Sequence, residues 1–296
     1  WSDCQEPTTA SDLFFTLPNA YTVTCPDTEV GSASVLDGSV TLALEGTLEL
    51  GDAGDTQGLL VEGEGDEPMA TLLVTGDPSS TLRCTLATIA ASESSFGALI
   101  LQGQDTSMEL PDLPARINVG TGGTGYLSIL DGATVTTGYV SLGHYQGLGS
   151  GMMEIGEDAL VNVGIQLAIE RSSEATLVAS GTIAGNGNVL VNAGGRLSGN
   201  GAIEADVTNF GGVEATPGES MRISGDYEQR APATLNFSGT FAASIQDEQT
   251  WGAIQSTDEA ELGGLLDLTI DAGYTPAVDS QWPVLTAGYG INGTFD

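Results

Sequence analysis

The chain contains no lysine and a single histidine, His144. Its only other basic residues are Arg83, Arg116, Arg171, Arg196, Arg222 and Arg230, against 40 acidic residues, giving a formal net charge of −34. A field of that sign repels nucleic-acid phosphates and anionic membranes, which excludes phosphate-backbone binding as a main role. It attracts cations and keeps monomers apart in solution. Aromatic residues are scarce, at 6%, which disfavours large helices packed on bulky side chains. No apolar run reaches the length of about 18 residues that a membrane-crossing helix needs. No signal-peptide pattern stands at the start either. The first residue is Trp1 rather than Met, so a processed mature form is expected.

Cysteine is limited to Cys4, Cys25 and Cys84, all in the first third. Their placement suits an oxidising compartment. Cys4–Cys25 closes the shorter loop and is the preferred pair, with Cys84 left odd. Their spacing matches no zinc site. Acidity and cysteine placement together imply an extracellular location, secreted or on the cell surface.

What is abundant is glycine, with 42 residues, about twice ordinary usage. Hydrophobic residues make up 40% of the 296, enough for a sizeable core. Apolar and polar residues alternate with period two: Val35, Val40, Leu42, Leu44, Leu48 and Leu50 mark short strands, broken at Asp37-Gly38 and Glu45-Gly46. Helical periodicity is nowhere sustained, and the best helical stretch, 159–168, alternates equally well.

One segment repeats. Residues 123–135 recur 26 residues later, aligning Gly125 with Gly151, Ile129 with Ile155, Ala133 with Ala159 and Val135 with Val161. The match extends to Gly138/Gly164 and Ser141/Leu167. A period in this range signals stacked units that share a core with their neighbours. Each unit has room for three strands of four to six residues plus corners. Inward positions must be small or aliphatic, as are Ile129, Ala133, Val135 and Val140, and corners must accept tight bends, where glycine and asparagine belong. The expected fold is all-β, a right-handed parallel β-helix or β-solenoid. At about 24 residues per turn it has on the order of twelve turns and a length of about 55–60 Å.

Three regions differ in texture. Residues 1–34 are poor in glycine and read as an N-terminal cap or assembly segment. Residues 35–215 are the glycine-rich coil. Residues 216–296 carry longer strands, with Trp251, Trp282 and Pro283.

The runs Gly181-Thr-Ile-Ala-Gly-Asn-Gly-Asn188, Gly199-Asn-Gly-Ala-Ile203, Val207-Thr-Asn-Phe-Gly-Gly212 and Ala215-Thr-Pro-Gly218 are followed by Ile223-Ser-Gly-Asp-Tyr-Glu-Gln229, Leu262-Gly-Gly-Leu-Leu-Asp-Leu268 and Gly290-Ile-Asn-Gly-Thr-Phe-Asp296. With Ile117-Asn-Val-Gly120 and Val140-Ser-Leu-Gly143, this order over residues 115–296 resembles the passenger domains of bacterial autotransporters and related exported β-helix surface proteins. The resemblance implies fold and export. It says little about activity, since such proteins include adhesins, structural surface proteins and enzymes. In autotransporters a membrane-embedded barrel follows; this sequence stops at Asp296, so removal of a translocator and secretion without one both stay open.

Candidate chemistry is sparse. Glycosidases need two carboxylates across a groove, and the densest acidic pairs are Asp52/Asp55 and Glu62/Glu64. Among 40 acidic residues such pairs arise as turn residues and solvated faces. β-Helix lyases use basic side chains, which are few here. His144, in Gly143-His-Tyr-Gln-Gly147, lacks a nucleophile motif and reads as a corner residue. Asp52, Asp55, Glu62, Glu64 and Asp66 offer oxygen ligands for calcium, the one cofactor considered, without the EF-hand or nonapeptide pattern. Gly120-Thr-Gly-Gly-Thr-Gly125 lacks the lysine and helix of a phosphate loop and reads as a β-corner. Thr134, Thr136 and Thr137 do not continue as the regular ranks an ice-binding face needs. Asn236 and Asn292 sit in glycosylation sequons.

The chain is therefore expected to be a non-enzymatic structural solenoid. Its ends, Leu13, Phe14, Phe15, Leu17, Tyr21 and Val23 at one and Thr294 and Phe295 at the other, are expected to stack head-to-tail on other copies in a surface filament or coat. A monomeric adhesin binding a glycan or host surface is the alternative, and a glycan-active enzyme the rival of a different class.

Overall fold

The computed structural model describes residues 11–51, 58–63, 69–77, 79–111, 115–144, 148–177, 181–215, 220–230 and 240–295. Its ordered elements are strands, in two parallel sheets of 21 and 11 strands. The alternation seen in the sequence explains the choice: along Ser39–Leu44 and Thr124–Leu130 every second residue is buried, as a strand with one face on a core requires.

The register reveals three stacks. Face A is the smaller sheet, from Ala20–Cys25 through Thr124–Leu130 to Leu265–Ile270. The larger sheet divides into face B, from Thr28–Val30 to Leu285–Ala287, and face C, from Asp12–Phe15 to Gly290–Gly293. The two are linked only through Thr134–Leu142 and Leu160–Ile169, long strands whose first halves lie in face B and second halves in face C. The chain visits A, B and C in turn. Each strand pairs in parallel with its counterpart on the turn before and the turn after, as in a solenoid. The eleven strands of face A, at about 4.8 Å spacing, span about 48 Å, and the twelve rows of face C about 53 Å, in keeping with the twelve or so turns the sequence suggests.

The repeat lies where the alignment places it, with one correction. Gly125 pairs with Gly151, Ile129 with Ile155 and Val135 with Val161. Between Thr137 and Tyr139 the register slips: Thr137 faces Val163, but Tyr139 faces Gln166. Ser141 therefore pairs with Ala168 and not Leu167, which faces Val140. The later strand carries one extra residue at this corner, a β-bulge. Elsewhere turn length varies widely. Ser39 pairs with Thr71, 32 residues on, whereas Arg196 pairs with Gly212, 16 residues on. Strand rows stay in register while corners absorb the difference.

The core is the inward column shared by the turns. Leu72, Leu99, Leu127 and Met153 stack in face A, each at most 2% exposed. Corner chemistry is equally repetitive. Gly132 has φ +82°, and the aligned residue Asp158 also takes positive φ, 57°, a conformation aspartate tolerates. Gly120 opens the corner before Thr124–Leu130 with φ +68°, and a Cβ there would press on the Ser150 carbonyl and lie 2.8 Å from the Gly151 nitrogen. Gly120–Gly125 is thus a β-corner.

Gly120→Ala is expected to destabilise the chain by about 1–3 kcal/mol, the cost of a strained left-handed backbone. Urea denaturation followed by circular dichroism measures it; an unchanged midpoint would refute this account of the corner.

Candidate functional site

The acidic excess has a partial structural use. At corners, carboxylates accept backbone N–H groups from another turn. Asp27 Oδ1 accepts from Thr47 N at 2.7 Å, Asp206 Oδ1 from Asp226 N at 3.0 Å, and Asp226 Oδ1 from Glu259 N at 3.2 Å. Glu62, the one calcium candidate within the described residues, is buried, and its Oε1 accepts from Ser92 N at 3.0 Å. Asp52, Asp55, Glu64 and Asp66 lie outside the described residues. Among those described, no group of three His, Cys, Asp or Glu side chains is spaced to hold a metal.

Two arginines, Arg83 and Arg196, sit between acidic neighbours on adjacent strands. Arg83 stands between Glu49 and Glu109 on face B and binds Glu109 at 2.9 Å. Arg196 bridges Glu174 and Glu214. Arg230 binds Glu228 at 2.6 Å. Such exposed pairs each stabilise by only about 0–1 kcal/mol, but they relieve stacked carboxylates.

The Gly-Asp-Tyr-x-Gln segment forms a polar knot inside the coil. Tyr227, Gln229 and Asn209 are buried. The Tyr227 hydroxyl donates to Gln229 Oε1 at 2.8 Å and accepts from Asn209 Nδ2 at 3.3 Å. Gln229 Nε2 donates to the carbonyls of Gly263, at 2.8 Å, and Leu265, at 3.0 Å. Asn209 Nδ2 also reaches the Thr240 carbonyl, and its Oδ1 accepts from Gly211 N. The three side chains thus tie successive turns together through satisfied buried polar groups. Burial holds the Tyr227 phenol far above its ordinary value. Here the motif is structural glue.

His144 is half-buried beside Glu170. Burial raises the Glu170 carboxyl, opposed by a hydrogen bond from Asn192 and by the charge of His144. Cys25 and Cys84 are buried free thiols; Cys4 lies outside the described residues. The sequon residue Asn292 is exposed on the last face C strand, whereas Asn236 is not described. A shallow cleft of about 200 Å³ lies on face B near the end, between Trp251, Gln249, Gln255, Ser220 and Thr286. One wall is held by Trp251 Nε1 donating to the Pro283 carbonyl, and the next residue back, Trp282, donates its Nε1 to the Asp247 carbonyl.

The two ends differ. In the first turn Leu13 and Phe15 are buried, Tyr21 and Val23 are half-buried against the core, and Phe14 and Leu17 point outward. Phe15 and Tyr21 pack with ring centroids 6.3 Å apart. At the other end Thr294 is exposed, but Phe295 folds inward onto Phe241, rings stacked 6.4 Å apart. Phe295 covers only part of the end. Leu268, Ile270 and Ile291 occupy inward rows, opposite Ala243, Ile245 and Ala260, which are at most 2% exposed, yet they are 46%, 45% and 46% exposed themselves. Sequence reasoning missed this trio. Their signal, alternation continued into the last turn, is the same one that marks buried residues elsewhere.

The fold and these ends define a parallel, solenoid-like all-β protein whose last described rung is only partly covered. No family model, no curated protein and no solved structure matches the chain.

Two outcomes follow. Tyr227→Phe leaves Asn209 and Gln229 short of a partner and is expected to cost about 1–3 kcal/mol, read from the urea midpoint; no loss would mean the knot contributes nothing. Burial also pushes Cys25 up to about 11 and Cys84 up to about 12, from 9.0. Unfolded thiols ionise near 9 while folded ones stay protonated. Their stabilising contribution is therefore complete below about pH 9 and is lost as pH rises through 11 to 12. Denaturation between pH 8 and 9.5, before tyrosines ionise, should show falling stability, with a flatter slope in Cys84→Ala.

Proposed function

We propose that this chain is an extracellular structural protein, a right-handed parallel β-helix of autotransporter-passenger type without catalytic activity, whose copies stack head-to-tail into a surface filament or coat. The observation that carries the reading is the open last rung. Leu268, Ile270 and Ile291 leave inward apolar positions uncovered, and among the described residues Leu265–Ile270, Leu285–Ala287 and Gly290–Gly293 each pair on one side only. Unpaired strand edges over apolar surface favour addition of another strand layer. The first turn, within the 1–34 assembly segment, offers strands in the same three faces, so the contact is heterologous and propagates.

Electrostatics sets the condition for stacking. All six arginines lie between residues 83 and 230. Residues 1–82 and 231–296 contain acidic but no basic side chains, so two ends brought together repel. Salt shortens the reach of that repulsion from about 10 Å at 0.1 M to about 3 Å at 1 M, and divalent cations act at lower concentration. Assembly should therefore strengthen with sodium chloride or calcium.

Electron microscopy and light scattering across a salt and calcium series should show rods lengthening as salt rises. Ile291→Asp should hold the protein as single rods with an unchanged circular dichroism spectrum. Single rods of wild-type protein at every ionic strength would sink the proposal.

A further inference from the structure

Face A is charged on only part of its length. Its first five strands, Ala20–Cys25, Ser39–Leu44, Ala70–Gly76, Phe96–Gln102 and Thr124–Leu130, contain no charged residue at any position. The next four each carry one, at Glu154, Glu174, Arg196 and Glu214. The neighbouring strands of face B do the same from the start, with Glu29, Glu49, Arg83 and Glu109. In a chain of net charge −34, five consecutive strands free of charge form a distinct patch.

The outward rows of this patch are hydroxyl-bearing and apolar. Thr41, Leu73, Ile100 and Ser128 form one half-buried row across the strands; Thr71 and Tyr126 flank the next, in which Ala98 between them is buried. The threonine ranks break at Leu73 and Ile100, so no regular threonine lattice is present. Parallel strands at about 4.8 Å spacing and about 3.3 Å per residue give a platform on the order of 450 Å². That is the size of a functional apolar patch. It falls short of the roughly 800 Å² per partner of a stable protein interface. A second copy would also bring its own acidic corners against those of the first, a like-charge contact that costs affinity.

We propose that the outer side of face A between Ala20 and Leu130 is a docking platform for a neutral polysaccharide. An uncharged chain of sugar rings presents apolar faces that fit Leu73, Ile100 and Tyr126 and hydroxyls that pair with Thr41, Thr71 and Ser128. It is also not repelled by the protein's field. The platform is separate from the stacking ends, and binding there needs no ion pair.

The test is depletion of the protein from solution by microcrystalline cellulose, chitin and an insoluble β-1,3-glucan, with pectate as the anionic control, at 0.15 and 1 M sodium chloride. At least one neutral polymer should retain the wild-type protein equally at both salt concentrations, and pectate should not. Thr41→Glu and Ile100→Asp each place one charge on the platform, at positions whose side chains point outward, and each should weaken retention at least ten-fold. Thr41→Glu serves if Ile100→Asp fails to fold, and its salt-dependent stacking should equal that of the wild type. No retention by any neutral polymer, equal retention of the variants, or retention lost at high salt would overturn the proposal. So would a wild-type dimer that these substitutions dissolve, because the platform would then belong to a second copy.

Discussion

Everything in this molecule rests on in-register parallel stacking of inward side chains. A single turn, three short strands and three corners, buries little by itself. Its apolar row is covered only when the matching row of the next turn lies on it, as Leu99 lies on Leu72 and Leu127 on Leu99. Backbone hydrogen bonds run in the same direction, so both main sources of stability act between turns. One consequence is tolerance: corners can lengthen, as between Ser39 and Thr71, or shorten, as between Arg196 and Gly212, provided each strand returns to its row. The other is a demand at the ends of the stack: among the described residues, the last row has no successor.

The remaining chemistry serves that stack. Glycine and positive-φ aspartate let the chain turn where a side chain would strike the turn beside it. Asp27, Asp206 and Asp226 use carboxylates to hold corner N–H groups of another turn. Arg83 and Arg196 interrupt columns of stacked carboxylates. The Tyr227–Gln229–Asn209 knot replaces apolar packing near the C-terminal end with hydrogen bonds across turns, which fix register more narrowly than aliphatic contacts do because each donor has a specific acceptor. The motif that supports the resemblance to exported β-helix proteins thus has a packing role that stands without the resemblance.

Charge divides the surface into regions with different capabilities. Confined arginines leave both end segments without a basic side chain, so any association of the ends would depend on counter-ions. The first five strands of face A avoid charge and offer a neutral platform on a molecule that otherwise repels anions. These two surfaces are independent, one at the termini of the stack and one along its side, so a filament of such units would repeat the platform along its length.

Period-two alternation, abundant glycine and the 26-residue repeat were legible in the residues themselves, because a strand with one wet face must alternate and a repeated turn must repeat its inward row. That much determined an all-β stacked fold and named Ile129, Val135 and Val140 as core. The slip at Gly138 was not placed by the repeat alignment: the 26-residue offset sets Leu167 on the outward row of Ser141, and the strand pairing shows one extra residue absorbed at the corner, which returns Leu167 to the inward row of Val140. Nor could linear sequence show that Phe295 turns in to meet Phe241 while Leu268, Ile270 and Ile291 stay uncovered, since alternation reads the same whether or not another layer follows. The neutrality of face A was present in five separated segments, but only the register sets them side by side. Local pattern decides which residues face inward; which turn covers them, and which outward residues become neighbours, is decided by contacts between residues 16 to 34 positions apart.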